Sequence, residues 1–588
     1  MVKILFYFLG ANSNARSIDR PLPPPLLLLN PDLVTLSFFP LPPPPPPQLR
    51  YLNSTRNDIS WWGLDYPPLS GYQSWAHGQL LRNFLLPEEE RDLALALTRE
   101  SRGFESPGSK RAMRATVLAS DVLLWLPCAL VALFAFAEEK KEGRKEDEEK
   151  AKSKLLWPAA VVLFQPALLL IDHGHFQFNG IGLGLSALAA AAAAAGDRRS
   201  LASVLFTCSL NHKQMALYFA PAFFGHLLGR CLQSAAKKKK SKNSSSVSSF
   251  SSLFVFLLRA GAHALALGLT VAATMAALWW PVISKNAKGP IAGALTVLSR
   301  LAPVQRGVFE DYVANFWCST HPLFKWKRRF SKEQLAKTAA ALTLAATAPS
   351  TLHQILKPSR RGMLYGMACS SLAFYLFSYQ VHEKSILLPL LPVSLLALEG
   401  GSEGGSKKKE KKETGFFFSA SSFFSAPPSE PFLASWLPVA ACFSMWPLLH
   451  RDGLAWSYAG CLVLWIGAVV ASRPRTEEEE EEKVRRRSGS KIDLALLYVP
   501  LASIAVALLL HACHALVDPP SALPWLWDAA ITGYCSLFFA AAFVYLNLRM
   551  WFGLEGEIQE EEQEGEKATS TSTALRPRRA GPARAKRD

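Results

Sequence analysis

Asp65 is a lone carboxylate in an aromatic and proline frame, WWGLDYPPLSGYQSWAHG, spanning Trp61–Gly78. Pro67 and Pro68 fix two φ angles, remove two backbone donors and push each preceding residue out of the α region. Asp65 and Tyr66 therefore belong to a stiff non-helical turn. The rings of Trp61, Trp62, Tyr66, Tyr72 and Trp75 suit a sugar face or a membrane–water boundary, since each has an apolar body and most have a polar edge. A second stretch, IDHGHFQFN at Ile171–Asn179, places Asp172, His173 and His175 within four residues. Asp-x-x-His could begin a metal site, but spacing sets no third ligand. The same residues could bind phosphate or sugar hydroxyls, or cap and pack a helix. Lys213, in NHKQ between apolar segments, must face a partner, a cavity or the interface, or else snorkel. In RLAPVQRGVFEDYVANFWC (Arg300–Cys318), Arg300 and Arg306 could neutralise a phosphate. Phe309, Val313, Phe316 and Trp317 there read as the apolar stripe of an interfacial helix, with Glu310 and Asp311 near the positive end of its dipole. VHEKS at Val381–Ser385 reads as a tight polar turn, with His382 and Lys384 as candidate phosphate ligands and Glu383 available to pair with Lys384.

The elements that must position these groups are membrane helices. Half of the residues are hydrophobic. They come in long runs such as Val117–Ala137, Leu155–Ile171, Leu253–Pro281, Phe432–Leu449 and Ala455–Ala471, and runs of about 17–25 apolar residues cross a bilayer. The expected fold class is an all-α multi-pass membrane protein. Spans are expected from about 116–137 to about 525–551, over a bundle covering 116–551. Two short apolar segments, 200–211 and 215–230, are read as separate spans because the split sorts the loops by charge. It places the low-complexity insertions EEKKEGRKEDEEKAKSK, KKKKSKNSSS and EEEEEEKVRRR on one face, and Lys/Arg-rich short loops mark that face as cytoplasmic. The Trp-, Tyr-, His-, Asp- and Arg-rich loops fall on the other face.

The net charge of +17 follows from that asymmetry, so nucleic acid is not an expected partner; the lipid bilayer is. The nine cysteines show no metal-ligand spacing, and most lie in or near apolar runs as small hydrophobes. Residues 1–50 include the proline-rich Pro21–Pro47, expected to be unstructured or polyproline II, and offer neither a signal peptide nor a first span. Residues 51–115 are expected to form a luminal loop and 552–588 a disordered cytoplasmic tail. The sequon at Asn53 lies on the luminal face and that at Asn243 in a cytoplasmic loop.

Phosphate-binding groups, a carboxylate and aromatic platforms on one face of a bundle suit a lipid-linked phosphate substrate. A carboxylate could act as base toward an acceptor hydroxyl, and cations could stabilise the departing phosphate. A multi-pass transporter would instead predict inverted repeats, and none is visible.

WWGLDYPPLSGYQSW, SRGFES (Ser101–Ser106), IDHGHFQFN, LNHKQMALYFAP (Leu210–Pro221), RLAPVQRGVFEDYVANFWC, FSYQVHEKSILL (Phe377–Leu388) and FSMWPLLHRDGL (Phe443–Leu454) occur in this order. Together they resemble the endoplasmic-reticulum glucosyltransferases that use dolichyl-phosphate glucose, from about Tyr51 to Met550. The resemblance implies an inverting enzyme of the endoplasmic-reticulum membrane with a GT-C-type helical bundle. Its luminal loops would form the site, with no metal and no cofactor. The donor would be dolichyl-phosphate glucose and the acceptor a dolichyl-diphosphate-linked oligosaccharide. Gly174 and the VHEKSILL wording look like the enzyme that adds the first glucose, in α-1,3 linkage, to the Man9GlcNAc2 lipid; the alternative is the sibling adding the second. His382, Lys384, Arg300 and Arg306 would bind phosphates. Asp65, Asp172 and His175 would contact sugar or acceptor, with Tyr66 and Lys213 completing the substrate-binding set.

The sequence departs from that family at its start. The family places a Gly-Asp-(Phe/Tyr)-Glu-Ala-Gln-Arg-His-Trp motif, whose Asp is the expected general base, in a first luminal loop after a first helix. Residues 1–50 contain neither. The expectation is a faulty or truncated gene model; an inactive member is the alternative. The catalytic residue is then unknown, and Asp65, expected to position substrate, is the best remaining candidate.

Overall fold

The computed structural model describes residues 51, 57–137, 148–236, 249–284, 286, 288–301, 312–399, 430–472 and 493–554. Pro21–Pro47, Asn53, Arg306, Phe309, Glu310 and Asp311 lie outside them, as do the charged insertions and the tail beyond 554. The described part is an all-α membrane bundle; its only strand-like pairing is an isolated bridge between Asn57 and Leu97. The helices are α1 (Pro68–Leu80), α2 (Pro107–Ala137), α3 (Leu156–Phe176), α4 (Asn179–Ala194), α5 (Arg199–His212) and α6 (Gln214–Ala236). They continue as α7 (Ser252–Ile283), α8 (Pro290–Leu301), α9 (Phe316–Phe324), α10 (Lys332–Leu356) and α11 (Arg360–Phe377). The last are α12 (Leu387–Leu396), α13 (Glu430–Ser444), α14 (Trp446–Arg451), α15 (Ala455–Ser472), α16 (Asp493–Leu516) and α17 (Leu526–Phe552). Five of them (α2, α3, α6, α7 and α17) are long and apolar enough to cross a membrane.

Small residues let the central helices approach. The buried alanines of α4, Ala187 and Ala189–Ala193, leave room for α5. Ser209 on α5 meets Ser186 at 2.7 Å and donates to the Gly182 carbonyl at 2.8 Å. Gly225 and Gly229 of α6 lie against the backbone of α10; a Cβ at Gly225 would sit 2.7 Å from the Thr351 carbonyl. Peripheral α7 turns Leu253, Phe254, Leu257, Leu258, Leu265 and Leu269 outward, a surface suited to hydrocarbon.

The expected break between 200–211 and 215–230 falls at Lys213, whose extended backbone (φ −144°, ψ 119°) separates α5 from α6. The chain reverses there, since Arg199 at the start of α5 donates to Arg230 and Ser234 near the end of α6. Elsewhere the expected boundaries shift. The span placed near 116 begins at Pro107, because Ser106 caps it with a reciprocal Ser106–Ser109 box. Most of the interfacial helix expected within Arg300–Cys318 lies outside the described residues; Val313 is not helical, and a helix starts at Phe316, where the Asn315 side chain accepts from the Cys318 N–H at 2.9 Å.

Two helices widen into π-type turns where they meet: Asp121–Trp125 within α2 and Leu170–Phe176 at the end of α3. Such turns re-aim side chains, and His173 Nε2 lies 2.7 Å from Asp121 Oδ2 across this contact. At the far end of the bundle, Glu430 ties α13 to α11 and α17. It accepts from the Tyr365 hydroxyl and from Arg549 Nε at 3.0 Å, with Arg361 at 3.8 Å.

Candidate functional site

The 57–106 segment folds into a cap held by its own polar contacts. Asp58 accepts from Ser60 and is clamped by Arg102. Those two partners hold its carboxyl at about pKa 2, below the usual carboxylate range. The SRGFES motif has a structural use here. Arg102 grips Asp58, Ser101 donates to the Ala96 carbonyl at 2.8 Å, and Ser106 caps α2 while bonding Glu90. Helix α1 fastens the cap to the bundle. Ser70 donates to the His212 carbonyl, Gln73 Oε1 meets His212 Nε2 at 2.6 Å, and Tyr72 donates to the Leu278 carbonyl at 3.0 Å.

This docking lays the proline-stiffened turn over the α5–α6 reversal. Asp65 Oδ1 accepts from Arg300 Nη2 at 2.7 Å, and Arg300 Nε donates to the Leu64 carbonyl at 3.1 Å. Gln214 donates to the Asp65 carbonyl at 3.1 Å, and the Tyr66 ring centroid lies 5.6 Å from the Lys213 ammonium. Arg300 thus acts first on Asp65. Arg306 lies outside the described residues.

Beneath that turn, Lys213 Nζ donates to Gln177 Oε1 at 2.9 Å and to Asn179 Oδ1. Asn179 Nδ2 in turn donates to Asp172 Oδ1 at 2.7 Å, and the Gly180 N–H to Asp172 Oδ2 at 2.8 Å. Asp172 is buried, with both oxygens engaged. It holds the N-terminus of α4, where a carboxylate suits the helix dipole, and supports Lys213 through Asn179. Asp172, expected as a sugar or acceptor contact, is placed here with its two oxygens accepting from Asn179 and Gly180. Burial pushes the Lys213 amine down to about 8; Asp172 opposes the shift and the neighbouring Lys384 adds to it.

Lys384 Nζ is 3.3 Å from His175 Nε2, and His175 Nδ1 is 2.6 Å from Asp452 Oδ2. His382 precedes the 3-10 turn Glu383–Ile386, its carbonyl accepting from the Ser385 N–H at 2.9 Å, which seats Lys384 at the mouth of α12. Asp65, Tyr66, His175, Lys213, Arg300 and Lys384 therefore gather at one end of the bundle, from segments far apart in the chain. Sequence reading missed Gln177, Asn179, Gln214 and Asp452. All four stood within quoted motifs; the first three are neutral amides with no charge anomaly, and Asp452 is a charged residue whose partner is set only by the fold. Among the described residues no group of three His, Cys, Asp or Glu side chains is arranged to hold a metal.

Two cations, Lys213 and Lys384, lie near an aromatic and carboxylate-bearing turn at one end of the helices, an arrangement with the charge to receive an anion. Residues 48–546 match the ALG6, ALG8 glycosyltransferase family. The chain belongs to that family. A relative from Arabidopsis thaliana, named probable dolichyl pyrophosphate Man9GlcNAc2 alpha-1,3-glucosyltransferase, is 38% identical over 501 residues, covering 85% of this chain and 80% of its own. One of the same name from Dictyostelium discoideum is 32% identical over 510 residues, covering 85% of each. The Gallus gallus dolichyl pyrophosphate Man9GlcNAc2 alpha-1,3-glucosyltransferase is 31% identical over 512 residues, covering 85% of this chain and 86% of its own. The protein is a membrane glycosyltransferase, and the described end is its candidate active site.

Proposed function

We propose that this glycosyltransferase adds the first glucose, in α-1,3 linkage, from dolichyl-phosphate glucose to the Man9GlcNAc2 glycan on dolichyl diphosphate, at the luminal side of the endoplasmic-reticulum membrane. The observation that carries the reading is the pair Lys213 and Lys384, held at the bundle end by Gln177, Asn179 and His175. A lipid phosphate reaches such a place from the bilayer. The Asp65–Tyr66 turn overhangs it with a carboxylate and a ring, groups that suit sugar hydroxyls. The names of the relatives support the acceptor.

The acceptor oxygen forms a bond to the anomeric carbon as the carbon–phosphate oxygen bond breaks, inverting β to α. Dolichyl phosphate leaves with the electron pair, and the hydroxyl proton passes to a carboxylate base. Lys213 and Lys384 donate to the phosphate oxygens as their charge grows. His382 and Arg306 are further phosphate ligands in this reading. The base is unassigned in this reading, with Asp65 the best remaining candidate among the residues of this chain.

The test is complementation of yeast lacking the first glucosyl transfer. One arm expresses the chain as given; the other replaces residues 1–50 with the amino-terminal segment of the Arabidopsis relative. Conversion of the Man9 lipid-linked glycan to its monoglucosylated form in either arm supports the proposal. Conversion only in the second locates the base in the exchanged segment. No conversion in either arm, with both proteins expressed in the membrane, overturns it.

A further inference from the structure

We propose that Asp452 is a positioning residue for donor phosphate, acting through His175 on Lys384 from a turn shaped to hold it. This rests on the reading that Lys384 meets the donor phosphate.

Helix α14 ends in a Schellman turn. The Leu454 N–H bonds the Leu449 carbonyl at 2.9 Å and the Gly453 N–H bonds the His450 carbonyl at 3.0 Å. Gly453 takes φ +72°, the left-handed conformation that glycine accepts without penalty. The turn fixes the two residues flanking Gly453. Asp452, on one side, places Oδ2 2.6 Å from His175 Nδ1. Leu454, on the other, is buried against Gly174: a Cβ on Gly174 would lie 2.9 Å from Leu454 Cδ1. A Cβ immediately before His175 would press on the end of the Leu454 side chain, so glycine there lets the two segments seat without displacing it, although they are 277 residues apart at the His175–Asp452 contact.

The chemistry follows from donor and acceptor roles. A carboxylate only accepts, so Nδ1 of His175 carries the hydrogen and Nε2 presents its lone pair. That lone pair receives one N–H of the Lys384 ammonium at 3.3 Å, leaving two for phosphate oxygens. Without Asp452 the imidazole is free to take the other tautomer, which would turn an N–H toward the ammonium. The three groups then no longer hold one orientation, and Lys384 must be ordered by the ligand itself. His175 and Asp452 are partly open, with side-chain exposures of 23% and 31%, so the unit lies at the edge of the site.

The test measures binding of dolichyl-phosphate glucose to the full chain in lipid nanodiscs, which needs no turnover. Asp452→Ala is expected to raise the dissociation constant about tenfold or more, the range for losing a charge-assisted partner. Asp452→Asn keeps an acceptor oxygen for Nδ1–H and regains most of that loss, at a melting temperature matching Asp452→Ala; a merely structural role would not separate the two. Gly174→Ala weakens binding, and adding Leu454→Ala restores it by removing the atom in the way. Lys384→Ala is the reference. If Lys384→Ala weakens binding while Asp452→Ala leaves it within about twofold, the role of Asp452 is overturned and the donor reading stands. If Lys384→Ala also has no effect, the donor reading itself falls, and this role with it.

Discussion

Lys213 shows how a single residue can be legible in sequence while its state is not. A cation between apolar segments is costly, so it drew notice by type and place alone. The structure adds that it is buried, bonded to two amides and close to Asp172 and Lys384, with its pKa lowered to about 8 from the 10.5 of a free lysine. The consequence for pH has a definite sign. The amine is charged below about 8 and neutral above it, so affinity for the anionic donor is highest below pH 8 and falls as pH rises through that value. Lys213→Arg stays charged across this range and is expected to remove the alkaline fall. Titrating donor affinity from pH 6.5 to 9.5 in both proteins checks this; a fall at the same pH in the arginine variant would exclude Lys213 as its source. Asp172 teaches the converse. Its sequence neighbourhood suggested ligand chemistry, yet both oxygens serve Asn179 and Gly180, because a polar group buried in a bundle must first satisfy its own neighbours.

Among elements, the α5–α6 hairpin was readable because charge sorting demanded a break, and Lys213 is where the backbone leaves the helix. The π-type turns in α2 and α3 were not readable. One extra residue in a turn barely disturbs an apolar run, so only the folded backbone displays them, with the Asp121–His173 contact where they meet. Helix packing leaves a sharper mark. Gly225 and Gly229 stand four apart on α6, and at both a Cβ would collide with carbonyls of α10. Gly229→Leu is expected to force those helices apart and cost about 1–3 kcal/mol, the usual range for overpacking. The readout is the melting temperature of the purified protein in detergent, which should drop by several degrees. An unchanged midpoint would mean that α6 and α10 do not pack through this face.

For the whole molecule, orientation is the testable property. The site cluster and the Glu430 network occupy opposite ends of the helices, as the start of α11 at Arg361 and the turn carrying Lys384 after its end show. If the site end is luminal, Asn53 carries a glycan and Asn243 does not. Expression in microsomes with and without glycosidase, using Asn53→Gln and Asn243→Gln, should show one mobility shift that only the Asn53 change removes. A shift lost with Asn243→Gln would invert the topology.

The apolar runs and the ordered motifs determined the membrane bundle and its family, and they drew notice to most of the residues that the structure gathers at the candidate site. They did so because hydrocarbon tolerates so few polar side chains that each one is conspicuous in the chain. Which of those groups serve the fold and which face the site was decided only in three dimensions. Asp172 caps α4, SRGFES ties down the cap segment, and Asp452 reaches His175 through a glycine-dependent turn. Hydrogen-bond partners across hundreds of residues have no period or spacing, so they exist as a pattern only once the helices have packed.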